Sequence, residues 1–140
     1  KAPDFKLKTL AGKTYRLADY RGKQVVLLDF GRFTCLPCRD TLGDLQKLQA
    51  RYADKGVRLF QVNLDGPLAK RVVPKGVAEL GITFPILQDN DSATAAAYRV
   101  ETIPHLVLVD LQGRIRFTHT GYEAGLKDKL SQQIAKYRPR

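Results

Sequence analysis

Two cysteines stand three positions apart in Cys35-Leu36-Pro37-Cys38, and the chain has no others. Thiols at this spacing can bridge across the first turn of a helix, whose exposed amide end stabilises a thiolate on the leading residue. The thiolate is the attacking species in thiol–disulfide exchange, so Cys35 is the expected nucleophile. Cys38, one turn further in, is the expected resolving thiol, shielded until a mixed disulfide forms on Cys35. Arg32 and Arg39 lie near enough in sequence to favour the Cys35 thiolate further. Zinc is the rival for a Cys-x-x-Cys, but a structural zinc needs four Cys or His ligands. Only His105 and His119 could complete the set, and they do not pair at a ligand spacing. Neither a metal nor a cofactor is therefore expected.

Three more positions could take part. Asp29 interrupts the apolar run Val25-Val26-Leu27-Leu28, six residues before Cys35. Held on a buried strand, its carboxyl would have a raised pKa and could trade protons with Cys38. Its position fits equally well an acid at the open end of a strand, solvated or paired with an arginine. Thr102-Ile103-Pro104-His105 is the other segment. By itself an Ile-Pro bond reads as trans, since only about one X-Pro bond in twenty is cis in folded proteins. His105 could tune the thiols through its titration range, although a lone histidine at a strand start is more often structural.

The elements that must position these residues follow from pattern. Residues 4–17 alternate around Ala11-Gly12-Lys13 and read as a hairpin. Gln24 to Phe30 is a nearly continuous apolar run, as in a strand buried on both faces. A helix begins near Pro37 and carries Leu42, Leu45, Leu48 and Tyr52 at helical spacing; Gly56 follows its end. Val57 to Leu64 reads as a second buried strand. Gly66, Pro67, Pro74 and Gly76 break the pattern over 65–81, which predicts a loop with a short helix near 75–80. Phe84 to Leu87 is a short strand, and Ser92 is a candidate cap for a helix running to Tyr98. Leu106 to Val109 and Ile115 to Thr120 form a hairpin about the Asp110–Gly113 turn. An amphipathic helix with Leu126, Leu130, Ile134 and Tyr137 closes the chain. The expectation is one α/β domain over residues 1–140, a mixed sheet flanked by helices on both faces.

Composition excludes several classes. At 140 residues with 44% hydrophobic content, the chain can build a core without disulfide staples, and it lacks the bias of a disordered chain. No apolar run approaches the roughly 20 residues of a membrane span. The net charge of +10 comes from basic residues scattered along the chain. With no basic helix interleaved with aromatics and no finger or helix-turn-helix pattern, it predicts a solvated basic surface and no nucleic-acid partner. The absence of an initiator Met suggests a removed leader or anchor.

Together these residues resemble the thioredoxin superfamily over nearly the whole chain. Val25 to Cys38 is similar to its strand-to-active-site segment, Asp29 falls where thioredoxins keep a buried aspartate, and Ile103-Pro104 matches the cis-proline loop facing the disulfide. The N-terminal hairpin, Tyr20-Arg21-Gly22-Lys23, the insert over 65–81, Leu108 to Arg114 and Thr120-Gly121-Tyr122 resemble the TlpA/ResA-like branch. The resemblance implies a thioredoxin-like fold, a cis Pro104, and a substrate surface of Leu36, Pro37, Ile103 and Pro104. It also implies an extracytoplasmic thiol-disulfide oxidoreductase, tethered or free, probing cysteines of other proteins as in cytochrome maturation. An upstream redox partner would serve it, and it would act as a monomer. Thr34 and Gly31 stand where the family usually or often has Trp, and Thr41 where many of this branch carry Glu. The last departure points to Asp29 as the buried acid. Two other chemistries share the fold. A peroxiredoxin-type peroxidase would need Pro and Thr where Leu28 and Arg32 stand. A copper carrier would use the two cysteines with a distant histidine, His105 or His119, but such cysteines are usually one residue further apart.

Overall fold

A computed structural model describes all 140 residues. The N-terminal hairpin is β1 (Lys6–Lys8) and β2 (Thr14–Arg16), followed by a 3-10 turn and β3 (Val25–Gly31). Next come α1 (Leu36–Tyr52), β4 (Val57–Asn63), α2 (Ala69–Leu80), β5 (Ile86–Gln88) and α3 (Ala93–Ala97). A second hairpin, β6 (His105–Val109) and β7 (Ile115–Thr120), leads into α4 (Leu126–Tyr137). The strands form one seven-stranded sheet in the order β2-β1-β5-β4-β3-β6-β7. β4 runs parallel to β3 and β5, and every other pair is antiparallel.

Every residue of β3 is buried, which explains its unbroken apolar reading. Val25 and Leu27 face a core built with Leu42, Leu45 and Leu48 of α1, Val73 of α2 and Leu126, Leu130 and Ile134 of α4. Val26, Leu28 and Phe30 face the opposite core, built with Ala95, Tyr98 and the N-terminal residues Phe5 and Leu17. Strand alternation therefore puts Asp29 and Gly31 on the α1 side.

Two expectations are corrected. Residues 65–81 are not mainly loop: a 3-10 turn over Gly66–Leu68 runs into the twelve-residue α2, with Pro74 inside it. Ala69, Val73 and Val77 recur at four-residue spacing toward the core, while the Pro74 ring lies on the exposed side. Gly76 is there because of contact: a Cβ on it would lie 2.1 Å from Cδ1 of the Phe33 ring. Packing thus outweighs the breaker signal of both residues. Ser92 does not cap α3. It sits at φ 60° without a side-chain cap bond, and the Asp89 carboxylate accepts the Thr94 and Ala95 N–H groups at 3.1 and 2.9 Å.

Candidate active site

Cys35 is the cap residue of α1, in extended backbone conformation, with Pro37 in the first turn. Its Sγ accepts the Cys38 N–H at 3.2 Å, so the helix amides are directed at this sulfur. Cys35 is partly exposed and Cys38 wholly buried; both are free thiols. Burial pushes the Cys38 thiol well up, the bond with Cys35 and the proximity of Asp29 push the same way, and a backbone hydrogen bond from Arg32 opposes them. The pair thus divides into an accessible sulfur at a helix end and a sheltered, reluctant one beneath it.

Gly31 makes room for the sheltered sulfur. A Cβ at Gly31 would sit 3.1 Å from Cys38 Sγ, closer than ordinary packing tolerates. Two residues earlier on the same face, the Asp29 carboxyl is fully buried, and neither oxygen has a hydrogen-bond partner. Burial pushes its pKa up to about 8. Of the two readings open from sequence, the solvated or arginine-paired acid is the one that fails. Neither nearby arginine is spent on the thiols: the Arg32 guanidinium donates to the Leu64 carbonyl at 3.0 Å, and Arg39 pairs with Glu79 at 3.1 Å.

The Ile103–Pro104 peptide is cis. His105 pairs with Phe30 across β3 and β6, so Pro104 comes level with Gly31 and hence with Cys38. Leu36 is 77% exposed beside Cys35, an apolar side chain left open next to the nucleophile. Pro37 is exposed and Ile103 half-buried. Thr41, buried one turn after Pro37, donates its hydroxyl to the Pro37 carbonyl at 3.0 Å.

His105 belongs to the other face of the sheet. Its ring lies 6.1 Å from that of Phe30, its Nδ1 meets the Thr120 hydroxyl at 3.2 Å, and burial lowers its pKa. His119 stacks on Phe117 and meets Glu123 at 3.3 Å. No three His, Cys, Asp or Glu side chains are grouped so as to hold a metal ion.

The sequence reading missed Gln61, Asn63 and Asp65. Gln61 and Asn63 alternate with apolar residues at the end of β4 and share one face, and Asp65 follows just past the strand. Asp65 accepts the Phe33 N–H at 2.8 Å, the Thr34 hydroxyl at 2.9 Å and the Asn63 amide at 2.9 Å. It therefore anchors the two residues that precede Cys35. The period-two polar pattern running off the end of a buried strand was the available signal.

A model of the AhpC/TSA family matches residues 1–118 of this sequence, cysteine pair and buried acid included. The chain belongs to the AhpC/TSA family. Among curated members, the thiol-disulfide oxidoreductase ResA of Geobacillus thermodenitrificans is 35% identical over 138 residues, covering 99% of this chain and 76% of ResA. The thioredoxin-like protein YneN of Bacillus subtilis is 38% identical over 121 residues, 86% of this chain and 69% of YneN. Among solved structures, a candidate thiol:disulfide interchange protein DsbE from Chlorobium tepidum superposes with a TM-score of 0.87 at 34% identity, covering 97% of this chain and 94% of that one. StoA from Bacillus subtilis superposes with a TM-score of 0.77 at 26% identity, covering 94% and 95%. The mixed sheet with helices on both faces is thus the thioredoxin-like fold.

Proposed function

We propose that this AhpC/TSA-family chain is a thiol-disulfide oxidoreductase that exchanges disulfides with protein substrates through Cys35 and Cys38. The Cys35 thiolate attacks one sulfur of a substrate disulfide; an S–S bond forms to Cys35 as the substrate bond breaks and one substrate thiolate leaves. Cys38 then gives its proton to the Asp29 carboxylate, attacks Cys35 Sγ and expels the second substrate sulfur. Two electrons pass from the chain's thiols to the substrate, which takes up two protons. An upstream dithiol partner restores the pair, and every step runs equally in reverse. The cis Pro104 loop, Ile103, Leu36 and Pro37 form the surface that receives the substrate.

The observation that carries this reading is the asymmetry of the pair: an accessible sulfur capping a helix, and a buried one beside an unpartnered buried acid. We further place the whole of residues 1–140 in one domain acting as a monomer outside the cytoplasm, with cytochrome maturation among its tasks. No helix is long and apolar enough to cross a membrane. Peroxidase chemistry is not favoured, because Leu28 and Arg32 occupy the positions where it needs Pro and Thr. Copper carriage is not favoured either, since His105 stands on the far face from Cys38 and His119 is engaged by Glu123. Insulin reduction followed by turbidity tests the proposal: Cys35→Ser should abolish it, and a Cys35→Ser protein that still reduces insulin would overturn it.

A further inference from the structure

The buried polar row at the end of β4 and just past it fixes an orientation that ordinary side-chain amides leave open. The Asp65 backbone N–H, which can only donate, points at Asn63 Oδ1 at 3.1 Å. The nitrogen of the Asn63 amide must then be the end that donates to Gln61 Oε1 at 3.0 Å and to Asp65 Oδ2 at 2.9 Å. Gln61 is thereby held with its oxygen toward Asn63 and its NH2 group turned away. That nitrogen is buried and has no partner.

It is turned toward the redox pair. Gln61 is the register partner of Asp29 across β3 and β4, and Gly31 is the partner of Asn63. The point where a Gly31 Cβ would lie has Cys38 Sγ at 3.1 Å and Gln61 Nε2 at 3.7 Å. Three partnerless atoms, the two Asp29 oxygens and Gln61 Nε2, thus lie on the sheet face that carries the sulfur that must lose a proton, none of them hydrogen-bonded to it. The other titratable groups facing this point are Cys35 at the start of α1 and Asp65 beyond Asn63; β6 sets apolar Leu106 against Asp29. No cation supplies the balancing positive charge from these elements.

We infer that Gln61 is a positioning residue of the resolving step, its NH2 locked by Asn63 as the donor that meets whichever of Asp29 and Cys38 carries the negative charge. The inference rests on the reading of Asp29 as the proton acceptor. With an NH2 and no hydrogen-bond acceptor presented to the pair, Gln61 favours the anionic forms without competing for the proton. As the proton passes from Cys38 to Asp29, the charge moves from carboxylate to thiolate, and the same amide serves both ends.

The test uses the full chain with Cys35 in a mixed disulfide with a small aromatic thiol, following release of that thiol as Cys38 attacks, from pH 5 to pH 9.5. Gln61→Glu keeps the oxygen that accepts from Asn63 and removes the donor; Gln61→Met removes both. Each should slow release about tenfold at pH 7 and move the acid limb of the profile up by about one pH unit, the worth of one hydrogen bond to a charged group. Attack of Cys35 on the aromatic disulfide, measured in a Cys38→Ser background, should change less than about twofold, because only the resolving step uses the buried amide. Variants that melt lower yet keep the native acid limb would overturn the assignment, since that is what a purely structural Gln61 gives. Asp29→Asn runs alongside. A limb abolished by Asp29→Asn but unmoved by either Gln61 variant overturns the Gln61 assignment alone, whereas a limb that survives Asp29→Asn overturns the relay reading beneath it.

Discussion

Replacing Asp29 by Asn should stabilise the reduced protein, and increasingly so as the pH rises. Both carboxyl oxygens are buried without a partner, and burial lifts the pKa from 3.8 in the open chain to about 8 in the fold. A carboxyl whose pKa is raised by folding holds its proton more tightly in the native state, so unfolding releases that proton between these two values. Stability from this group is therefore full below pH 3.8 and is lost as the pH climbs through about 8. Each unit of separation is worth about 1.4 kcal/mol. The loss is then about 2 kcal/mol at pH 5 and about 4 kcal/mol at pH 7, levelling off near 6 kcal/mol above pH 8. Asn carries no titrating proton, so Asp29→Asn escapes the loss while other groups cancel between the two proteins. Urea unfolding followed by far-ultraviolet circular dichroism, with both cysteines kept reduced, measures the difference from pH 4.5 to 8.5. The advantage of Asp29→Asn should widen by about 2–3 kcal/mol between pH 5 and pH 7. A difference independent of pH would refute the reasoning, as would a wild type that gains on the variant as the pH rises.

Asp65→Ala strips the acceptor from the Phe33 N–H, the Thr34 hydroxyl and the Asn63 amide, all close to the nucleophile. It should cost about 3 kcal/mol in urea unfolding and lower the rate of attack by Cys35, whereas a loss below about 1 kcal/mol would mean these donors find other partners. Gly76→Ala places a methyl against the buried Phe33 ring, with no room at 2.1 Å. A thermal melt should register about 1–3 kcal/mol of destabilisation from overpacking, and a neutral result would show that the ring turns aside freely.

The chemistry was legible because it is local. Cys35 and Cys38 lie within one turn, and an apolar strand before them with a helix after them announces how they are held. Asp29 stood out as a charge in an apolar run, yet which of its two environments it had depended on the α1 residues above it. The cis Ile103–Pro104 bond came from family resemblance rather than from the residues themselves. The α2 segment was misread for the same reason in reverse: Pro74 and Gly76 are local breakers, and only contact with Phe33 and the core explains why a helix persists there. Ser92 failed as a cap because Asp89, further back in the chain, reaches the same amides. Gln61, Asn63 and Asp65 were hidden among apolar neighbours, since their meaning lies in what β3 sets opposite the first two and what the segment after β3 donates to the third.

The central claim is that Cys35 makes the bond to substrate and Cys38 breaks it. A Cys38→Ser protein offered a disulfide-bonded protein or peptide should accumulate a covalent adduct, and intact-mass measurement with peptide mapping should find the substrate on Cys35 alone, released by dithiothreitol. No adduct with Cys38→Ser, or an equal yield of adduct from a Cys35→Ser protein, would contradict the account.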